Sequence, residues 1–295
     1  MSPALRILFF VAGCAVVFAA ALGVGRVVGP VAAEPAEAAG HDMGGAEPAE
    51  PMAAMAHREV GGLEAEADGY TMRLADDRVD AGPQTLSFTV TGPDGDPVTA
   101  YDEEHERDLH LIVVRRDLTG FQHVHPELSR RGVWSAPLDL APGQWRLFAD
   151  FRAAGADALT LGADLAVAGD YRPVVRAVES RTAEVDGYAV TLAGDLHPGS
   201  EARLTLSLMR NGRPVTDLQP YLGAYGHLVA LRSGDLAYLH VHPDGAPRDG
   251  TTSPGPDVVF HADVPSAGTY HLYLDFKHDG VVRTAAFTVE AEGER

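Results

Sequence analysis

Gly95-Asp96-Pro97-Val98-Thr99 returns as Gly212-Arg213-Pro214-Val215-Thr216, and the stretch after each copy decides the fold. From Gly95 to Pro126 and from Gly212 to Pro243 the chain aligns with itself without a gap, at an offset of 117, with 11 of 32 positions identical. Besides the opening motif, the shared pieces are His110-Leu111 with His227-Leu228, and His123-Val124-His125-Pro126 with His240-Val241-His242-Pro243. Upstream, Ala67-Asp68-Gly69-Tyr70 parallels Val185-Asp186-Gly187-Tyr188. Downstream, Pro142 to Phe151 parallels Ala267 to Phe276. A period this long marks a tandem duplication of a folding unit.

Each copy reads as β-structure. Leu86-Ser87-Phe88-Thr89-Val90 and Leu204-Thr205-Leu206-Ser207-Leu208 alternate apolar and polar, the period of a half-buried strand. Leu111 to Val114 is a continuous apolar run, as in a strand buried on both faces. Gly, Pro and Asp clusters punctuate these runs, and no window shows a helical apolar stripe. Several short strands per copy predict an all-β chain of two immunoglobulin-like sandwiches, over residues 63–172 and 173–295.

The 45% hydrophobic and 22% charged composition is that of a globular protein. With 42 acidic against 23 basic side chains the net charge is −19, which excludes a nucleic-acid binder that must displace phosphate counterions. The lone cysteine, Cys14, excludes intramolecular disulfides, Cys-ligated zinc and thiol nucleophiles in the repeats.

Residues 1–30 form a transmembrane anchor or signal segment: Arg6 precedes an uncharged apolar run from Ile7 to Gly25. A retained single-pass anchor is expected ahead of cleavage after Val31-Ala32-Ala33, and cleavage ahead of lipidation at Cys14. All three place the body outside the cytoplasm. Residues 31–62 are a flexible Ala/Glu/Pro linker holding His41, Met43, Met52, Met55 and His57, soft side chains able to capture Cu(I).

Both copies carry His-x12-His-x-His-Pro: His110, His123 and His125, then His227, His240 and His242. In a strand, residues i and i+2 share a face. A symmetric hairpin with its midpoint between Arg116 and Asp117, or between Ser233 and Gly234, sets His110 opposite His123 and His227 opposite His240. Three imidazoles then converge in each repeat, a donor set for copper or zinc. Asp150 and Asp275 stand in apolar strands and need partners. Each could complete a metal shell, orient a ligating His, or bind Arg115 or Arg232. The alternative for the whole set is a hydrogen-bonded core retained in duplicate. His261, His271 and His278 occur in the second copy alone, with His271 a candidate auxiliary ligand. A cupin site would want a Glu shortly after His-x-His, but Ser129-Arg130 and Ala246-Pro247 stand there.

With its anchor, Met/His linker, Gly-x-Pro-Val-Thr strand start and Pro/Ala-Gly-x-Trp/Tyr strand, the chain resembles exported copper-handling β-sandwich proteins of the CopC and YtkA-like type. That resemblance implies a metal-carrying module without catalysis, buffering copper or delivering it to a partner protein. The expectation is therefore a membrane-anchored metal-binding protein with one independent site per repeat. Two others stand beside it: a structural or interaction module of tandem sandwiches, and a three-histidine zinc enzyme. No general base or Gly-x-Ser-x-Gly nucleophile motif accompanies the histidines.

Overall fold

The structure, a computed structural model, describes residues 60–174 and 179–293, all within one compact unit spanning His57–Arg295. The anchor, the cleavage and lipidation sites and the linker residues His41, Met43, Met52, Met55 and His57 lie outside the described residues. Among the described residues no helix is long and apolar enough to cross a membrane.

The chain is all-β. The first repeat contains β1 (Glu66–Ala67), β2 (Tyr70–Leu74), β3 (Arg78–Val79), β4 (Gly82–Thr91), β5 (Tyr101–Asp102), β6 (Leu109–Arg115), β7 (Gln122–Val124), β8 (Glu127–Leu128), β9 (Val133–Leu140), β10 (Gly143–Ala153) and β11 (Ala158–Val167). The second contains β12 (Thr182–Val185), β13 (Tyr188–Ala193), β14 (Ser200–Arg210), β15 (Arg213–Pro214), β16 (His227–Arg232), β17 (Tyr238–Leu239), β18 (Val241–Pro243), β19 (Asp257–Val264), β20 (Gly268–His278) and β21 (Val281–Ala291).

One sheet of the first repeat runs β1-β2-β4-β9-β8, and the other β3-β11-β10-β6-β7 with β5 on β10. The second repeat has the same order: β12-β13-β14-β19-β18 with β15 on β14, facing β17-β16-β20-β21. One sheet built on β2-β4-β9 or β13-β14-β19, packed against another centred on β6-β10-β11 or β16-β20-β21, makes each repeat an immunoglobulin-like sandwich. The alternation read from the sequence fills the cores. Leu86, Phe88 and Val90 meet Trp145, Leu147 and Phe151 in the first, while Leu204, Leu206 and Leu208 meet Tyr270, Leu272 and Phe276 in the second.

A third apolar cluster joins the repeats. Ile112, Val114, Leu118 and Phe148 pack with Val229, Leu231, Leu236 and Tyr273. Along β6, therefore, Leu109, Leu111 and Val113 face the sandwich core while Ile112 and Val114 face the other repeat. This is why the run from Leu111 to Val114 has no polar alternation. Phe121 stacks on Tyr273 at 4.0 Å, and Phe148 lies 5.6 Å from Tyr238. The Tyr273 hydroxyl donates to the Leu118 carbonyl at 2.8 Å.

The hairpins after β6 and β16 are two residues out of the expected register. Ile112, not His110, lies opposite His123, and Ala230 lies opposite Leu239. In the first repeat the Arg115 amide bonds the Thr119 carbonyl at 3.0 Å, enclosing the three-residue loop Arg116-Asp117-Leu118. Leu118 ends that loop in the left-handed region, at φ 63°, and a bulge beyond it supplies the second residue of shift. The second repeat reaches the same register differently. The Arg232 amide bonds the Ala237 carbonyl across the four-residue loop Ser233 to Leu236, with Leu236 again at φ 63°. An even shift preserves faces, so the histidines stay on the side expected of them.

The chain enters the first repeat along its neighbour. The Tyr238 amide donates to the Gly61 carbonyl at 3.0 Å, and the Gly62 amide to Thr160 at 2.9 Å. Gly62 has φ +75°, and a Cβ there would stand 2.4 Å from the Phe148 ring, so the crossing requires glycine.

Candidate metal centre

Alternation along four strands places a polar residue of each at one end of the face between the repeats. On β6 this is His110, beyond Ile112 and Val114. On β10 it is Asp150, beyond Phe148. On β16 it is His227, beyond Val229 and Leu231, and on β20 it is Asp275, beyond Tyr273. The ladder pairs His110 with Asp150 and Asp150 with Thr160, then His227 with Asp275 and Asp275 with Thr284. Each repeat thus presents a His-Asp-Thr row, and the two rows lie at one end of the apolar cluster.

His110, His123 and His125 converge, each offering a ring nitrogen within 4.8 Å of the other two. The His110 and His123 rings are buried, each side chain about 2% exposed or less. The bonds around them fix their protons. His110 Nε2 lies 3.0 Å from the Glu104 carbonyl, an acceptor only, so Nε2 carries the hydrogen and Nδ1 a lone pair. The Asp275 carboxylate accepts from Thr284 Oγ1 at 2.5 Å through one oxygen. Its other oxygen lies 2.7 Å from His123 Nδ1, which donates to it. His123 Nε2, the ring's other nitrogen, lies 3.0 Å from His110 Nδ1 and presents a lone pair to it wherever it carries no second proton. Two lone pairs at hydrogen-bond distance repel unless a cation or a proton lies with them. Beside them, His125 Nε2 is buried with no hydrogen-bond partner.

Electrostatics keep His110, His125 and His227 neutral. Burial, reinforced by His123, His125 and His105, pushes His110 down to about 3. Burial with His123 and Arg107 pushes His125 down to about 4. His227 is held well below the usual imidazole range by burial and by the four histidines around it. Burial also raises the Asp150 carboxyl to about 6, although Thr160 Oγ1 donates to it at 2.8 Å. Neither Asp150 nor Asp275 takes Arg115 or Arg232 as partner: those guanidiniums bind Asp117 and Thr119, and Asp235.

The structure gathers the three histidines of the first repeat but not those of the second. His227 does not gather His240 and His242; it stacks on His110 at 5.3 Å and lies 4.8 Å from His123. In the first repeat, pairing with β6 persists through Val124, which holds His123 in the sheet facing the other repeat. In the second, pairing with β16 ends at Leu239 and the chain crosses over, so that Val241–Pro243 joins β19. His242 then faces its strand partner His261 and stacks on it at 5.5 Å, with His240 at 5.7 Å. His261, held by Glu201 at 3.0 Å, is what the second copy offers His242 and the first lacks. His271 is also apart from the centre. It lies four residues from Asp275 on β20, with Nδ1 3.2 Å from Thr288 Oγ1.

One member of the cluster escapes a search by repeats. His105 lies 5.5 Å from His227 and 5.9 Å from His110, ring to ring, but its counterpart at the repeat offset is Leu222. Thr160 and Thr284 were equally invisible, since a Thr beside a buried Asp has no spacing signature.

Residues 65–169 and 183–293 each match the family model DUF8832, described as a domain of unknown function. The chain belongs to the DUF8832 family. The two DUF8832 copies contain the two sandwiches; the three converging imidazoles come from the first copy and the carboxylate that orients His123 from the second. No curated protein matches the sequence. Among solved structures, this DUF8832 chain is similar to the Escherichia coli adhesin FdeC, with 15% identity over 77% of this chain and 65% of that one, at a TM-score of 0.24. It is similar to the Yersinia pseudotuberculosis adhesin InvE, with 13% identity over 75% of this chain and 58% of that one, at 0.22. For trypsin-activated alpha-2-macroglobulin from Escherichia coli the values are 16%, 80% and 16%, at 0.25. The chain therefore spans less than two thirds of each of these three. The immunoglobulin-like assignment rests on the strand order itself.

Proposed function

We propose that this protein binds one transition-metal ion, copper or zinc, at a single centre shared by its two repeats, and carries it without catalysing a reaction. The observation that carries this reading is the approach of His110 Nδ1 and His123 Nε2 to 3.0 Å, beside the partnerless His125 Nε2. Three neutral imidazole nitrogens suit Cu and Zn, whose Zn–N bonds are about 2.0–2.1 Å long. Asp275 acts as the carboxylate that fixes tautomer and orientation of a ligating histidine. Copper is favoured through the resemblance to exported copper-handling sandwiches. The anchor at residues 1–30 places the body outside the cytoplasm, where the −19 charge favours arrival of cations.

Calorimetric titration of the full chain with Cu(II), Cu(I) and Zn(II), with bound metal quantified, tests the proposal. One tight equivalent is expected. His123→Ala with His125→Ala removes it, and His240→Ala with His242→Ala leaves it in place. Two equivalents, or loss from the His240/His242 variant, would sink the shared centre.

A second reading is supported by the 2.7 Å contact between His123 and Asp275, which ties the repeats together. A proton on His123 Nε2 would satisfy the contact with His110 as a metal would. The protein would then be a structural tandem module, and the titration would show no tight metal.

A further inference from the structure

Glu104 to Arg107 is a two-residue turn closed on both sides: the Glu104 amide bonds the Arg107 carbonyl at 2.9 Å and the Arg107 amide the Glu104 carbonyl at 3.0 Å. Its central residues, His105 and Glu106, both have positive φ, 50° and 65°. A turn of this type prefers Asn-Gly or Asp-Gly; the left-handed region tolerates His among non-glycine side chains but disfavours Glu. The second repeat builds the same turn from Tyr221 to Ala224, with Leu222 at φ 56° and Gly223 at φ 77°. There the first central residue is buried and the second is glycine. In the first repeat both central residues of the turn are exposed, His105 and the glutamate where the other copy has glycine.

The turn is fastened to the centre. The Glu104 carbonyl that closes it also receives His110 Nε2 at 3.0 Å, and the Glu104 carboxylate meets Arg152 at 2.6 Å. His105 therefore stands over His110 and His227, outside the group of three converging nitrogens and exposed where His110 and His123 are buried. A local rule broken without structural gain points to a functional site.

We infer that His105 is the entry ligand of the centre, capturing a metal ion from solvent and passing it to His110, His123 and His125, and taking it back on release. This rests on the metal-binding reading of the centre. A residue that lowers the barrier to transfer without holding the ion at equilibrium changes both rates by the same factor and leaves Kd unchanged.

The test is stopped-flow loading of the full chain with Zn(II), and release to a chromophoric chelator, for the wild type, His105→Asn and Glu106→Gly. His105→Asn should slow loading and release by the same factor, with one equivalent retained and Kd unchanged. It should also raise the unfolding midpoint, because Asn suits the left-handed region. Glu106→Gly, which copies the turn of the second repeat, should raise the midpoint and leave both rates as in the wild type. Unchanged rates in His105→Asn overturn the inference. So does a weakened Kd, which would make His105 an ordinary ligand, or equal slowing in Glu106→Gly, which would assign the effect to the turn. A wild type that binds no Zn(II) overturns the metal-binding reading itself, and the inference with it.

Discussion

Protonation of single side chains sets how the protein responds to acid. His110 and His125 fall to about 3 and about 4 in the folded state, and His227 falls well below its usual range. Their unfolded counterparts titrate near 6.5, so the unfolded chain binds protons first as pH drops. Stability from these groups is complete above about pH 6.5 and is lost as pH falls toward the folded values. Asp150, raised to about 6, has the opposite sign: its ionised form costs stability above about pH 4 and its protonation restores it. Three imidazoles outweigh one carboxyl, so the metal-free protein should melt at lower temperature at pH 5 than at pH 7.5. His110→Gln should flatten that dependence. At pH 7.5 Asp150→Asn should stabilise the metal-free protein by about 1–3 kcal/mol, read by denaturant melts. Asp275→Asn should keep one metal equivalent but weaken it about 10–100-fold, read by competition titration. At this scale the sequence singled out residues that the fold brings together. Recurrence of His110, His123, His125 and both aspartates singled them out, and alternation put each on the correct face. His105 was hidden because its place beside His110 and His227 is a matter of position, not repetition.

Strands and turns explain both what could be read and what could not. The run Leu111 to Val114 announced a strand buried on both sides, and β6 is that strand. The turn after it could not be read from a midpoint rule. Whether a connection takes two, three or four residues depends on which residue accepts the left-handed region, and here Leu118 and Leu236 do so because both are buried between the repeats. Where the chain leaves one sheet for the other was equally illegible, yet that choice after Leu239 decides that His240 and His242 do not join His227. Phe148 tests the packing of these elements. It is fully buried in the cluster that joins the repeats, against Tyr238 and beside Arg146. Phe148→Ala should cost about 3–5 kcal/mol and split one cooperative thermal transition into two, seen by calorimetry.

In the whole molecule, the contact between repeats buries the outward faces of β6, β10, β16 and β20, and the centre sits at its edge. An ion bound there would engage the folded, docked form alone. Saturating metal should therefore raise the midpoint of the entire body in one transition, by about 2.7 kcal/mol at a hundred times Kd. Two tandem sandwiches were legible because duplication is written in the chain. Which of their faces would meet was not, because a one-dimensional repeat carries no docking geometry. The stack of His110 on His227 has a historical reading. These residues are each other's counterpart in the two copies, and the pairs Phe121–Tyr273 and Tyr238–Phe148 exchange places under the same correspondence. A contact in which equivalent residues meet is the signature of a two-fold dimer. The ancestor before fusion is thus expected to have been a single sandwich that paired with itself, its two copies of one histidine facing each other on the axis. A relative carrying one copy of the repeat should run as a dimer in solution, and a strictly monomeric one would refute that descent.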